Sequence, residues 1–72
     1  MKPNDSFIIS RDISFNGGFI PLGAVLQIKE IINKDSIILV SITPFIINNN
    51  RQTLTTSVDT EFIKDNASMI KK

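Results

Sequence analysis

The sequence contains no cysteine, histidine, tryptophan or tyrosine among its 72 residues. Without cysteine and histidine, the chain cannot form disulfides or the thiolate and imidazole ligand sets of ordinary zinc and haem sites. Nucleophilic or general acid–base catalysis would have to rely on carboxylates, lysine, serine or threonine. We therefore expect a protein that is not an enzyme and that holds no metal ion or cofactor.

A strong net charge and long apolar runs are also missing. Eight basic and seven acidic side chains give a formal net charge of +1, too small for long-range attraction to phosphate backbones. No segment approaches the roughly 20 apolar residues that cross a bilayer, and the first residues lack the layout of a signal peptide. We expect a cytoplasmic protein that does not contact membranes and has no evident small-molecule substrate.

The chain is rich in β-branched residues. Fourteen residues are Ile, and Val and Thr bring the β-branched total to 22, whereas Leu and Ala number only four and two. Stiff β-branched side chains favour pleated strands over helices, so the composition predicts an all-β fold. We assign residues 1–6 to a flexible polar N-terminal arm and residues 7–72 to a single small β-barrel domain.

Two apolar patterns flank a turn predicted at residues 33–36. Residues 24–28 alternate, with Ala24, Leu26 and Ile28 on the inner side, as in a half-buried strand. A β-bulge near Glu30 would bend this strand and keep a later Ile pointing inward.

The second pattern, residues 37–42, is apolar on both faces. A strand of this kind requires cover on two sides, which a small domain supplies with difficulty. Pro44 then predicts a kink or an edge, and the Asn triplet at residues 48–50 predicts a turn before the next strand.

The C-terminal segment has a helical spacing of apolar residues. Thr56 and Asp59 have the spacing of a capping box, and we expect a helical turn at residues 58–64 followed by a closing strand at residues 67–70. One continuous helix is the alternative. Asp59, Glu61 and Asp65 would serve a carboxylate-dependent enzyme or a hard metal ion, but we favour a solvated turn with a helix-capping Asp.

The order of these elements resembles an SH3-like small barrel of about five strands with a short helical turn near the C-terminus. The residues that carry the resemblance are Ile20-Pro21-Leu22-Gly23 and residues 25–32, 37–42 and 58–63. An OB-like barrel, or a sheet with a C-terminal helix, is the architectural alternative. Peptide-binding SH3 domains line their groove with Tyr and Trp, so the resemblance does not imply recognition of proline-rich peptides.

The surplus of apolar residues predicts a protein-binding function. An exposed apolar strand is a liability unless it binds something. We expect an identical subunit or another protein to cover Ile37, Leu39, Phe45 and Ile47. Such a protein could also be an accessory subunit of a larger assembly. The Ile- and Asn-rich composition suggests an A+T-rich bacterial or phage genome.

Nucleic-acid binding is the alternative function. A small barrel that binds single strands combines basic side chains with aromatic rings on which bases stack. Arg11, Phe15, Lys29 and Arg51 are the candidate contacts in this chain. The small net charge makes this alternative weaker than protein binding.

Overall fold

The computed structural model describes residues 2–34 and 36–70. Asp35, within the predicted turn at residues 33–36, and residues 1, 71 and 72 lie outside the described residues. The elements in chain order are β1 (Ser6–Ile9), β2 (Ile13–Phe15), β3 (Gly18–Ile20), β4 (Val25–Asn33), β5 (Ile37–Ile47), β6 (Asn50–Asp59), α1 (Thr60–Asn66) and β7 (Ala67–Met69).

The strands form one antiparallel sheet in the order β2-β3-β5-β4-β1-β7, and β6 pairs with the other side of β5. The long strand β5 is central, because it pairs with β4, with β3 at Ile46, and with β6 along its length. The predicted β-rich class is therefore confirmed. The described strands number seven rather than about five, and no ladder among them closes the sheet.

Two hairpins are set by short turns with left-handed backbone. Asn48 and Asn49 have φ of 51° and 63°, and the flanking residues Ile47 and Asn50 are paired. Asn16 and Gly17, with φ of 51° and 78°, join β2 to β3 in the same way. Positive φ at both central residues matches the right-handed twist of the strands, and Asn and Gly adopt it most readily. The predicted turn at residues 48–50 is confirmed.

A third turn directs the chain into β4. The N–H of Ala24 donates to the carbonyl oxygen of Pro21 at 3.1 Å, and Gly23 within this turn has φ of 90°. The N–H of Leu22 donates to Oδ1 of Asp12 at 2.8 Å, which attaches the turn to the preceding loop. A residue with a Cβ would be strained at Gly23, so the glycine of Ile20-Pro21-Leu22-Gly23 has a backbone role.

Strand β4 contains the bulge that the sequence predicts. Ile28 pairs with Val40 and Glu30 pairs with Leu39, so one extra residue, Lys29, lies in β4 between these pairs. The extra residue changes the alternation and lets Ile31 pack against the core. The bulge bends β4, as a small sheet that wraps its own core requires.

The core lies on the inner face of the bent sheet and includes Ile63 from α1. Twelve apolar residues form it: Phe7, Ile9, Ile20, Ala24, Leu26, Ile28, Ile38, Val40, Ile42, Phe45, Val58 and Ile63. No polar or charged residue is buried among the described residues. The core is therefore held together by apolar burial, without a buried network of polar side chains.

The C-terminal segment is a short helix followed by a strand, as predicted, and not one continuous helix. Strand β7 pairs with β1 through Phe7–Met69 and Ile9–Ala67. The N-cap is Asp59, whose carboxylate accepts a hydrogen bond from the N–H of Phe62 at 2.9 Å. The predicted capping role of Thr56 is wrong, because Thr56 lies within β6, which continues to Asp59. Val58 of the same strand is buried opposite Ile38.

Part of the segment that the sequence assigns to a flexible arm is hydrogen-bonded to β4. The N–H of Asn4 donates to the carbonyl of Ile28 at 2.8 Å, and the N–H of Ile28 donates to the carbonyl of Asp5 at 2.9 Å. Ser6 is the first residue of β1. Among residues 2–34 and 36–70, no helix has the length and apolar composition needed to cross a membrane.

Candidate protein-binding surface

The sheet face opposite the core, here called the outer face, carries apolar residues that no described part of the chain covers. Ile8 on β1 pairs with Val25 on β4, and their exposed fractions are 44% and 41%. Val25 pairs in turn with Thr43 on β5, whose hydroxyl lies 2.9 Å from that of Thr53 on β6. These four residues form a row across four strands, apolar at one end and hydroxyl-bearing at the other.

The next row of the outer face is polar but uncharged. Ser6 pairs with Gln27, Gln27 with Ser41, and Ser41 with Thr55. Beyond it, Leu39 is half-buried between Glu30 and Ser57, and the exposed Ile37 lies opposite Asp59. Apolar and uncharged polar side chains thus occupy the centre of the outer face.

Charged groups border this uncharged centre. The ammonium group of Lys29, the extra residue of the bulge in β4, donates to Oε1 of Gln27 at 3.1 Å. A cation thus lies next to the uncharged row that contains Gln27. Three exposed charged residues lie further from the centre: Glu30 opposite Leu39, Arg51 opposite Ile46 and Asp59 opposite Ile37. An uncharged centre with a charged periphery is the usual composition of a protein-binding patch.

The structure separates the four predicted interface residues into two pairs. Ile37 and Leu39 lie on the outer face, whereas Phe45 belongs to the core with 5% exposure and Ile47 packs against the core. The physical cause is the register of β5. Ile42 pairs with Leu54 and Phe45 with Gln52, so the segment containing Pro44 holds one extra residue and reverses the alternation.

Outer-face positions not selected from the sequence are Ile8, Val25, Phe19 and Ile46. Because of the reversal near Pro44, Ile46 rather than its neighbours faces outward, opposite Phe19, which is 39% exposed. The alternation of residues 24–28 in the sequence is sufficient to place Val25 on the outer face. Pairing it with Ile8 requires the register between β1 and β4, for which the sequence carries no local signal.

The candidate nucleic-acid contacts Arg11 and Phe15 have contacts within the protein. Nε of Arg11 donates to Oδ1 of Asn66 at 2.8 Å, and Nη2 donates to the carbonyl oxygen of Asp65 at 3.1 Å. The half-buried ring of Phe15 lies 5.4 Å from that of Phe62, measured between centroids, and packs against the core. Arg11 thus stabilises the C-terminal end of α1, and Phe15 contributes packing.

Lys29 and Arg51 lie on the outer side of the sheet but not near each other. Lys29 follows Ile28, which pairs with Val40, while Arg51 pairs with Ile46. Six residues of β5 separate these two positions, which corresponds to about 20 Å along a strand. The four candidate contacts therefore do not form one continuous basic and aromatic groove.

The three carboxylates near the C-terminus have separate structural positions. Asp59 caps α1, and Glu61 forms an exposed ion pair with Lys64 at 3.8 Å. The backbone carbonyl of Asp65 accepts from Arg11. Within the described residues, no cluster of three or more potential ligands is arranged to hold a metal ion.

A shallow depression of about 330 Å³ lies beside the C-terminal half of β6. Its lining consists of Phe15, Ser57, Val58, Asp59 and Phe62. The depression therefore separates β6 from the β2–β3 hairpin and α1, at the place where the sheet remains open.

Comparison of this chain with protein-family models, with curated proteins and with solved structures gives no match. The fold and the surface described above define the class of the molecule, a small antiparallel β-protein whose outer face has an uncharged centre.

Proposed function

We propose that this chain is a small SH3-like barrel that acts as a non-enzymatic, protein-binding subunit of a larger assembly. Three features of its topology support the architecture. In the sheet, the first strand lies between the bent strand β4 and the last strand β7, and in the chain the β2–β3 hairpin lies between β1 and β4. The short helix precedes the last strand, in the order that the resemblance implies.

One observation carries the functional proposal: the exposed pair Ile8 and Val25 lies in one of two adjacent rows that contain no charged residue. Covering apolar side chains that are exposed on a flat sheet is favourable, at roughly 25 cal/mol per Å² of apolar surface removed from water. The absence of charge lowers the desolvation cost of a partner that docks there. Ile37 and Leu39 extend the same surface toward the N-terminal end of β5.

Site-specific photocrosslinking tests this proposal. A photoreactive side chain is placed at Val25 or Ile37 of the full chain, and the chain is expressed in cells of its source. We expect both positions to crosslink the same partner protein. Leu22 provides the matched control, because it is 64% exposed but lies in the turn before β4 and not in a strand of the outer face.

The variant Val25→Lys should reduce the crosslink from Ile37 at least about tenfold, because a charge would be desolvated in the interface. Leu22→Lys should leave the crosslink unchanged. Equal crosslinking from Leu22 and Val25, or a crosslink that survives Val25→Lys in a folded chain, would contradict the proposed surface.

A further inference from the structure

The free edge of β6 differs from the outer face as a binding surface. Among the described strands, β6 pairs only with β5, so the opposite edge of its ten residues has unpaired backbone groups. Proteins usually protect such an edge with proline, lysine, a bulge or a very short strand. The sequence from Asn50 to Asp59 contains no proline or lysine. In the ladder with β5, β6 has no extra residue and therefore no bulge.

The two charges of β6 have opposite signs and lie near the two ends of the strand. Arg51 and Asp59 are both exposed, and both belong to the outward-facing set of β6, since the inward-facing residues are Leu54, Thr56 and Val58. An antiparallel pair of identical strands related by a two-fold axis places residue i opposite residue j and residue j opposite residue i. When the axis passes through Thr55, Arg51 of each copy lies opposite Asp59 of the other.

We propose that the free edge of β6 binds β6 of a second copy of this chain, antiparallel and centred on Thr55. This inference goes beyond the proposed function, because it concerns the strand edge and not the outer face. The register places Thr53 opposite Ser57 of the second copy and Thr55 opposite its equivalent. Cross-strand hydroxyl pairs and opposite charges both stabilise antiparallel strands.

Either class of antiparallel residue pair can lie on a two-fold axis, so the backbone accepts this register whichever way the amide of Thr55 points. A register centred one residue earlier would place Arg51 opposite Ser57 and leave Asp59 beyond the strand of the second copy. Charge complementarity therefore selects Thr55 as the centre.

The inner side of the edge is open near Val58. In this register Gln52 of the second copy lies opposite Val58, which lines the depression of about 330 Å³ together with Phe15 and Phe62. Leu54, half-buried at the present edge, would be covered by the strand that lies opposite it. The Asp59 carboxylate uses Oδ1 for the helix cap, which leaves Oδ2 for the guanidinium group.

Charge reversal tests the proposal in the full chain. Sedimentation of the wild-type chain up to millimolar concentration should show a concentration-dependent dimer. Arg51→Glu places like charges opposite each other twice per dimer and should raise the dissociation constant about tenfold. Asp59→Arg should do the same. An equal mixture of the two variants should form a heterodimer with a dissociation constant close to that of the wild type, because both cross-strand pairs are then opposite in sign.

Three controls separate the charge effect from other causes. Asp59→Asn keeps a helix-capping side chain and removes only the charge, so it should weaken the dimer while the thermal unfolding midpoint of the monomer changes little. Val25→Lys should leave the dimer unchanged, because the residue lies on the outer face of β4. High salt should weaken the wild-type dimer, since Arg51 and Asp59 are exposed.

A wild-type chain that remains monomeric at millimolar concentration overturns the proposal and leaves the edge for an extended segment of another protein. A dimer that is insensitive to charge reversal, or that is lost on Val25→Lys, also overturns it and favours association through the outer face. A mixture that fails to restore the dimer rules out the register centred on Thr55. Apart from loss of the dimer on Val25→Lys, none of these results bears on the crosslinks from Val25 and Ile37 to a different protein.

Discussion

Gly18 lies where the β2–β3 hairpin approaches the core most closely. A methyl group on this residue would overlap the ring of Phe45, with Cε1 and Cε2 of the ring at 2.8 Å. Gly18 is thus required by packing, whereas Gly17 before it is required by a left-handed backbone.

We predict that Gly18→Ala lowers the free energy of unfolding by about 2 kcal/mol, the usual cost of overpacking a core. Urea unfolding would measure it. Combining the change with Phe45→Leu should cost at least about 1 kcal/mol less than the sum of the two single changes, because the smaller side chain makes room for the methyl group. Additive costs would contradict the overlap. Ser14→Ala, in the same hairpin, serves as the control.

Strand β6 and helix α1 meet without a loop, and Asp59 is the residue at which one becomes the other. It is the last residue of β6 and the N-cap of α1. The side chain of Asn66 closes the other end of the helix, donating from Nδ2 to the carbonyl oxygen of Phe62 at 2.9 Å. A helix of seven residues is marginal by itself, so these end contacts and the burial of Ile63 hold it in place.

We predict that Asp59→Ala lowers the free energy of unfolding by about 1 kcal/mol, because the N–H of Phe62 loses its acceptor. Asp59→Asn should leave the stability within about 0.5 kcal/mol of the wild type, since an asparagine side chain accepts the same hydrogen bond. Thermal unfolding monitored by circular dichroism would measure both variants. An asparagine variant as unstable as the alanine variant would show that the charge, not the cap, matters.

The whole molecule depends on one small core. Its twelve buried residues come from β1, β3, β4, β5, β6 and α1 together with Ala24, and no disulfide supports them, because the chain has no cysteine. A domain of this size rarely gains more than roughly 3–5 kcal/mol from a single core. Any large cavity should therefore remove most of its stability.

Neighbouring isoleucines on β5 provide a direct comparison. Ile38 is 0% exposed and Ile37 is 37% exposed, on opposite faces of the strand. We predict that Ile38→Ala lowers the free energy of unfolding by about 2–5 kcal/mol and leaves much of the protein unfolded at 25 °C. Ile37→Ala should cost less than about 1 kcal/mol, because it leaves no buried cavity. Equal losses in urea unfolding would mean that another surface covers Ile37.

Features that depend on neighbouring residues follow directly from the sequence. β-branched composition selected strands, Asn and Gly selected the left-handed turns, and the alternation at Ala24, Leu26 and Ile28 identified the core side of β4. The bulge near Glu30 was also predictable, because paired isoleucines interrupt that alternation. Each of these signals acts within a few residues, where steric preference and side-chain period operate directly.

Features that depend on register between distant strands are visible only in the folded chain. One extra residue near Pro44 turned Phe45 inward and Ile46 outward, and the pairing of β1 with β4 brought Ile8 beside Val25. Hydrogen bonding to α1 occupied Arg11, which the composition alone left available for nucleic acid. A shift of one residue exchanges the two faces of a strand, so the outer face could not be read from β5 alone.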